Sequence, residues 1–176
     1  KREQLVLGLN ASDVLVIASS DNPFTMYCFP QKLFEYMAVN VPIVATAVGD
    51  IVRILNRLIE EGRVAIASRV DERQAEVLKK EFFSTGDWYP EARVFLANRS
   101  AIPEFSYSTS IGVLTAGLSD RPVAEEACQI LCSANYPVVK MYDVGVSGLQ
   151  RLVSQLSKIE KCDVVIVAAG MEGALP

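Results

Sequence analysis

From Ile111 onward the chain alternates short apolar runs with helical patterns, and this constrains the fold more than any other feature. Read in order, it gives strand 111–115, helix 121–134, strand 137–142, helix 146–158 and strand 163–168, then the start of another helix. Strands that are apolar throughout, not on alternate residues, are buried on both faces. Interleaved with helices, they imply a parallel sheet with helices on each side.

Each of these strands ends in a turn of small, hydroxyl or acidic residues. The first is Thr115-Ala116-Gly117-Leu118-Ser119-Asp120-Arg121-Pro122, the second Asp143-Val144-Gly145-Val146-Ser147-Gly148, the third Ala168-Ala169-Gly170-Met171-Glu172-Gly173. A turn that opens a helix presents free backbone N–H groups and the positive end of the helix dipole, which suits a phosphate or carboxylate. In open α/β sheets, ligands sit beyond the strand C-termini. The three turns are therefore expected to converge on one crevice, lined by Thr115, Ala116, Gly117, Ser119, Asp120, Asp143, Gly145, Gly170, Met171 and Glu172.

The N-terminal half carries the same grammar less regularly. Val14–Ala18, Ile43–Thr46 and Val64–Ala67 read as strands, and Ala92–Leu96 as a short one. Pro30 marks a helix start, with Leu33, Phe34, Tyr36, Met37 and Ala38 on its apolar face. Ile51, Ile54, Leu55, Leu58 and Ile59 have helical spacing, and Gly62 closes that helix. Asp71 is an N-cap for a helix through Ala75, Val77 and Leu78. Residues 98–110 are polar, hold Pro103 and read as a linker. With Val138–Tyr142 and Val164–Ala168, the expected architecture is one continuous α/β domain: a mostly parallel, Rossmann- or flavodoxin-like three-layer sandwich.

Composition narrows the function. The 176 residues are 51% apolar and 22% charged, with net charge −4 and a pI near 5.0. No dense basic stripe favours nucleic acid. No apolar run reaches the roughly 18 residues of a membrane span, and no signal peptide is visible, so a cytoplasmic location is expected. The chain starts at Lys1 without Met and reads as a fragment or processed product. Cys28, Cys128, Cys132 and Cys162 form no CxxC pair and read as buried reduced thiols, with Cys128 and Cys132 on one helix face. There is no His, which argues against a metal site and leaves acid–base work to Asp, Glu, Lys, Cys or Tyr.

Two resemblances follow. Ala11-Ser12-Asp13-Val14-Leu15-Val16-Ile17, Phe29-Pro30-Gln31-Lys32-Leu33-Phe34-Glu35-Tyr36-Met37-Ala38 and Pro42-Ile43-Val44-Ala45-Thr46 resemble the nucleotide-binding lobe of GT-B glycosyltransferases. That resemblance implies that Glu35 binds the ribose of a nucleotide-sugar and Lys32 approaches its diphosphate. The family's earlier Glu falls at Tyr27, and its Gly before the second strand at Asn40.

The stretch from about Ile51 to Pro176 resembles the LarB family of nickel-pincer cofactor biosynthesis proteins, whose C-terminal domain is similar to N5-carboxyaminoimidazole ribonucleotide mutase. Its carriers are Gly62-Arg63-Val64 with Ser68-Arg69-Val70-Asp71, Gly112 to Ala127, Tyr142 to Leu152, and Ala169 to Pro176. The resemblance implies carboxylation of nicotinic acid adenine dinucleotide with CO2 and hydrolysis of its phosphoanhydride, with no further cofactor assigned. Gln150 stands where the family commonly has His, and none of the four cysteines matches the family's nucleophilic Cys, which lies beyond the position of Pro176. Binding without carboxylated product is therefore expected. The segments are 1–50 (glycosyltransferase-like), 51–110 (LarB-like) and 111–176 (mutase-like), joined near Val48 to Ile54, as in an engineered or recombined chimera. The expected partner is a small nucleotide, with self-association into a homo-oligomer left open and no nucleic acid or membrane.

Single residues keep two readings. Ser119 and Asp120 bind a ligand's anionic group and ribose hydroxyl, or serve as N-caps before Pro122. Asp143 holds a ribose or ring, or bonds turn N–H groups. Gly145 and Gly148 are expected to permit tight turns or close packing. Glu172 is an acid–base group or complements a helix dipole. Gln150, next to Arg151, reads as surface, and Trp88 as a packing anchor.

Overall fold

The structure, a computed structural model, describes residues 7–12, 15–17, 36, 39, 41, 43–46, 51–102, 104, 107–170 and 175. Lys32, Glu35, Met171 and Glu172 lie outside the described residues, as do the Val48–Asp50 junction, most of the helix expected after Pro30 and the helix expected after residue 170. The chain divides into two compact units, Lys1–Ile102 and Pro103–Pro176. The division falls within the polar stretch 98–110.

The first unit is built on β1 (Leu15–Ile17), β2 (Ile43–Thr46), α1 (Ile51–Glu60), β3 (Ala65–Ser68), α2 (Glu72–Glu81), β4 (Gly86–Tyr89) and β5 (Val94–Ala97). Its sheet runs β1-β2-β3-β5-β4; β1, β2 and β3 are parallel, while β5 is antiparallel to both β3 and β4. α1 turns Ile54, Leu55 and Leu58 into the core beneath Ala65 and Ala67 of the central strand. It ends where Gly62 adopts φ 71°, which lets Gly62 N–H reach Ile59 O at 2.8 Å and Arg63 N–H reach Leu58 O at 3.0 Å.

α2 starts at a reciprocal cap. Gln74 N–H donates to the Asp71 carboxylate at 2.8 Å, and Asp71 N–H donates to Gln74 Oε1 at 2.8 Å. Asp71→Ala should cost about 1 kcal/mol of stability, the usual worth of an N-cap. A denaturant midpoint unchanged in this variant would show that the cap is idle.

β4 departs from the sequence reading, which has no strand at Gly86-Asp87-Trp88-Tyr89. It pairs with β5 across a turn in which Arg93 has φ 53°. Gly86 is required by its neighbour: a Cβ there would lie 2.4 Å from Cζ of the buried Phe95 ring. Trp88 packs on the core edge, the anchoring role expected of it.

The second unit holds β6 (Ile111–Thr115), α3 (Arg121–Ser133), β7 (Val138–Met141), α4 (Leu149–Ile159) and β8 (Val164–Ala168). Short 3-10 turns at Leu118–Asp120 and Val146–Gly148 lead into the two helices. The sheet is wholly parallel, in the order β7-β6-β8. The described strands thus form two sheets, where one continuous domain is expected from the sequence, and no strand is found among the described residues of the stretch 98–110.

Three layers are visible in this unit. Ala124 and Cys128 of α3 pack with Ile111 and Val113 on one face. Leu152 and Ile159 of α4 pack with Leu114 and Met141 on the other. This follows from topology: β7 and β8 lie on opposite sides of β6, so two right-handed crossovers must place their helices on opposite faces. The fold is α/β with mostly parallel pairing, and the second unit is doubly wound. Among the described residues no helix is long and apolar enough to cross a membrane.

Candidate functional site

In a doubly wound sheet the crossovers diverge at one point, and the loops there separate to leave a crevice. In the order β7-β6-β8 that point is the C-terminal edge between β6 and β8. The described residues of the three turns singled out in the sequence, as far as Gly170 in the third, sit at the C-terminal edge of this sheet.

Thr115, fully buried at the end of β6, is the hub. Its Oγ1 accepts from Asp143 N–H at 3.0 Å, and its carbonyl accepts from Val144 N–H at 2.9 Å. Ala116 continues the tie in both directions: its carbonyl accepts from Gly145 N–H at 2.9 Å, and its N–H donates to Ala168 O at 3.0 Å. A Cβ on Gly145 would lie 2.4 Å from Ala116 O, so only glycine lets the two loops approach this closely.

Asp120 occupies the switch point. It precedes α3, but its side chain makes no capping bond to that helix. Instead Oδ2 accepts from Gly117 N–H at 3.1 Å, and Oδ1 lies 3.9 Å from where a Cβ of Gly170 would project. The carboxylate therefore stands between the turn after β6 and the turn after β8. Ser119 is exposed beside it. Of the expected residues, the structure brings Thr115, Ala116, Gly117, Ser119, Asp120, Asp143, Gly145 and Gly170 to one edge of one sheet.

Asp143 is held in an unusual way. Its φ is 56°, a left-handed conformation in which Asp is among the better tolerated side chains. Arg151, in the first turn of α4, folds back on it: Nε donates to the Asp143 carbonyl at 2.5 Å and a terminal nitrogen lies 3.2 Å from Oδ1. Arg151 is exposed, and the sequence reading assigns it no role in the site. The pair is eight residues apart, across a turn and a helix start, and no local pattern announces it.

A polar cluster under α3 was also missed. Glu125, 7% exposed, accepts from Lys140 Nζ at 2.7 Å and from the Tyr142 hydroxyl at 2.7 Å. Tyr142 has spent its proton on Glu125, so the Cys128 thiol, 3.7 Å away, is left to donate to the Tyr142 oxygen. The Arg121 guanidinium lies 5.3 Å from the Tyr142 ring centre. Burial opposes charge on Glu125, but the hydrogen bonds from Lys140 and Tyr142 outweigh it and hold the carboxyl below its ordinary range. Burial also disfavours the Lys140 cation, yet bonding to Glu125 prevails and raises its pKa. Burial, with the bond to Glu125, pushes the Tyr142 phenol up.

Burial likewise pushes the Cys128 thiol up, so it is no ready nucleophile. Cys132 is exposed, so the two helix cysteines differ despite their four-residue spacing. Among the described residues no cluster of His, Cys, Asp or Glu has the makings of a metal site. A polar recess of about 280 Å³ in the first unit, lined by residues such as Thr85, Asn98 and Arg99, contains none of the expected site residues.

The C-terminal unit is thus a doubly wound α/β unit with two carboxylates, Asp120 and Asp143, and Arg151 around the end of its central strand. No family model matches the chain. It is 32% identical over 136 residues to the protein called Uncharacterized protein MJ0165 from Methanocaldococcus jannaschii, an alignment covering 73% of this chain and 52% of that protein. The chain spans about half the length of the curated relative it matches.

Proposed function

We propose that the Pro103–Pro176 unit binds a small nucleotide at the C-terminal edge of its parallel sheet. The observation that carries this reading is the placement of Asp120 between Gly117 and Gly170 at the switch point, with Asp143 tied to the same strand end through Thr115. Backbone N–H groups of the turn before α3 meet the phosphate, and the carboxylates accept from ribose hydroxyls. The LarB resemblance of residues 51–176 names the ligand: nicotinic acid adenine dinucleotide, with CO2 as co-substrate of any chemistry.

Calorimetric titration with nicotinic acid adenine dinucleotide tests the reading. Asp120→Ala should weaken binding roughly 10- to 100-fold, the worth of a hydrogen bond to a charged group. A UDP-sugar, the ligand implied for Lys32 and Glu35, should be indifferent to that substitution. Wild-type protein that does not bind the dinucleotide at millimolar concentration sinks the proposal. Incubation with the dinucleotide and bicarbonate should give binding without carboxylated product, since the chain has no His and the buried Cys128 thiol is held protonated. Product above a no-protein control, seen by mass spectrometry, would make the unit a carboxylase.

A further inference from the structure

We propose that Arg151, seated on Gly148, is a positioning residue that aims the Asp143 carboxylate at the crevice and so sets recognition of the ligand's ribose. The proposal rests on the reading above, in which Asp143 faces ligand.

Three observations carry it. First, Arg151 grips Asp143 at two places, the main-chain carbonyl and the carboxylate, so it fixes both the left-handed backbone and the side-chain direction. Second, a built seat exists for it. A Cβ on Gly148 would meet Cζ, Nη1 and Nη2 of Arg151 at 2.3, 2.4 and 2.5 Å, so the flat guanidinium lies directly over this glycine. Gly148 has φ −137°, which any residue adopts, so its bare Cα serves this close approach and not a backbone requirement. Third, the remaining polar group of Asp143, its N–H, is fixed by Thr115 Oγ1 at 3.0 Å. The N–H, the carbonyl and Oδ1 of Asp143 are thereby held before ligand arrives, while the side chain stays 39% exposed and open to solvent. A planar fork with several donors does this; a lysine ammonium, a single point charge, cannot hold carbonyl and carboxylate at once in the same geometry.

The probes are nicotinic acid mononucleotide and its 2′,3′-dideoxy analogue, both of which carry the phosphate. Wild-type protein should prefer the ribose form by roughly tenfold, since the hydroxyls reach a charged acceptor. Arg151→Lys should bring that ratio close to one while moving affinity for the dideoxy analogue less than about twofold. Gly148→Ala should do the same without altering any charge, because its methyl takes the guanidinium's seat. In an Asp143→Ala background, Arg151→Lys should add nothing.

Equal weakening of both probes by Arg151→Lys would mean that Arg151 touches the phosphate itself, and would overturn the proposal. So would an unchanged ratio in both variants. A wild-type ratio near one, or no binding, would instead refute the placement of Asp143 against ligand. The positioning contact is then still decided by the Arg151 Nε–H resonance in the free protein. That signal should be protected from solvent exchange in wild type and exposed in Gly148→Ala; an unprotected wild-type signal overturns the proposal.

Discussion

Replacing Lys140 by methionine should cost about 3 kcal/mol or more, because it leaves the Glu125 carboxylate buried with its strongest partner gone. The reverse truncation, Glu125→Gln, should cost less. Lys140 has a 39% exposed side chain and a flexible stem, so its ammonium can turn to water, whereas Glu125 on α3 has nowhere to go. This asymmetry follows from which partner is stranded, and hydrogen exchange of the β6 amides will read it within the second unit.

The same cluster fixes the pH window. The folded carboxyl of Glu125 lies below its unfolded value, so its contribution is present above about pH 4 and is lost as pH falls through the folded pKa. Lys140 and Tyr142 are raised in the fold, so theirs is complete below about pH 10 and fades as pH rises toward their folded values. Stability of this unit should therefore form a plateau between acid and alkaline losses. In Lys140→Met, burial of Glu125 is opposed only by Tyr142 and Arg121, so the acid loss should shrink or vanish. An acid limb of unchanged depth in that variant would show that Lys140 is not what keeps Glu125 ionised.

The sequence disclosed what is local and concealed what is paired. Ile43–Thr46, Ile111–Thr115 and Val164–Ala168 are strands with the bounds expected from their unbroken apolar runs. β6 is buried throughout, but Val164, Val165 and Ile166 of β8 are exposed, against the expected burial on both faces, because β8 ends its sheet. Gly62 and Asp71 end and begin helices as expected, since caps act on their own backbone. β4 escaped because Gly86 and Asp87 disfavour strands, and the reason for Gly86, the Phe95 ring beside it, lies on another strand. The break into two sheets escaped because which strands pair is not written in any one run. At the site, the small turn residues were legible as turns, and three of those turns fell at one sheet edge because parallel strands share a direction. Arg151 and the cluster of Glu125, Lys140 and Tyr142 were not legible. Their meaning depends on partners 8 to 17 residues away on other elements.

Gly145→Ala should be the most disruptive of the glycine substitutions in the second unit, and it tests the junction on which the site depends. The new methyl would lie 2.4 Å from the Ala116 oxygen, 3.0 Å from its carbonyl carbon and 3.2 Å from its Cα. All three are backbone atoms, so no side chain can rotate away and the loops themselves must part. Gly145 has φ −65°, open to any residue, so the whole effect is steric. Overpacking of this kind costs about 1–3 kcal/mol and more where backbone cannot yield, which places this variant at or above the upper end. Gly148→Ala meets the same sort of overlap, but with the far end of the Arg151 side chain, so it should cost little stability while altering recognition. Parting the loops also breaks the bonds from Gly145 N–H to Ala116 and from Val144 N–H to Thr115, and carries Asp143 off the strand end. Nucleotide binding should therefore fall with stability in Gly145→Ala, and should not recover at low temperature, where the fold is retained but the junction stays open. A variant within about 0.5 kcal/mol of wild type, the range of substitutions that touch nothing, would mean that the turns after β6 and β7 do not meet as described.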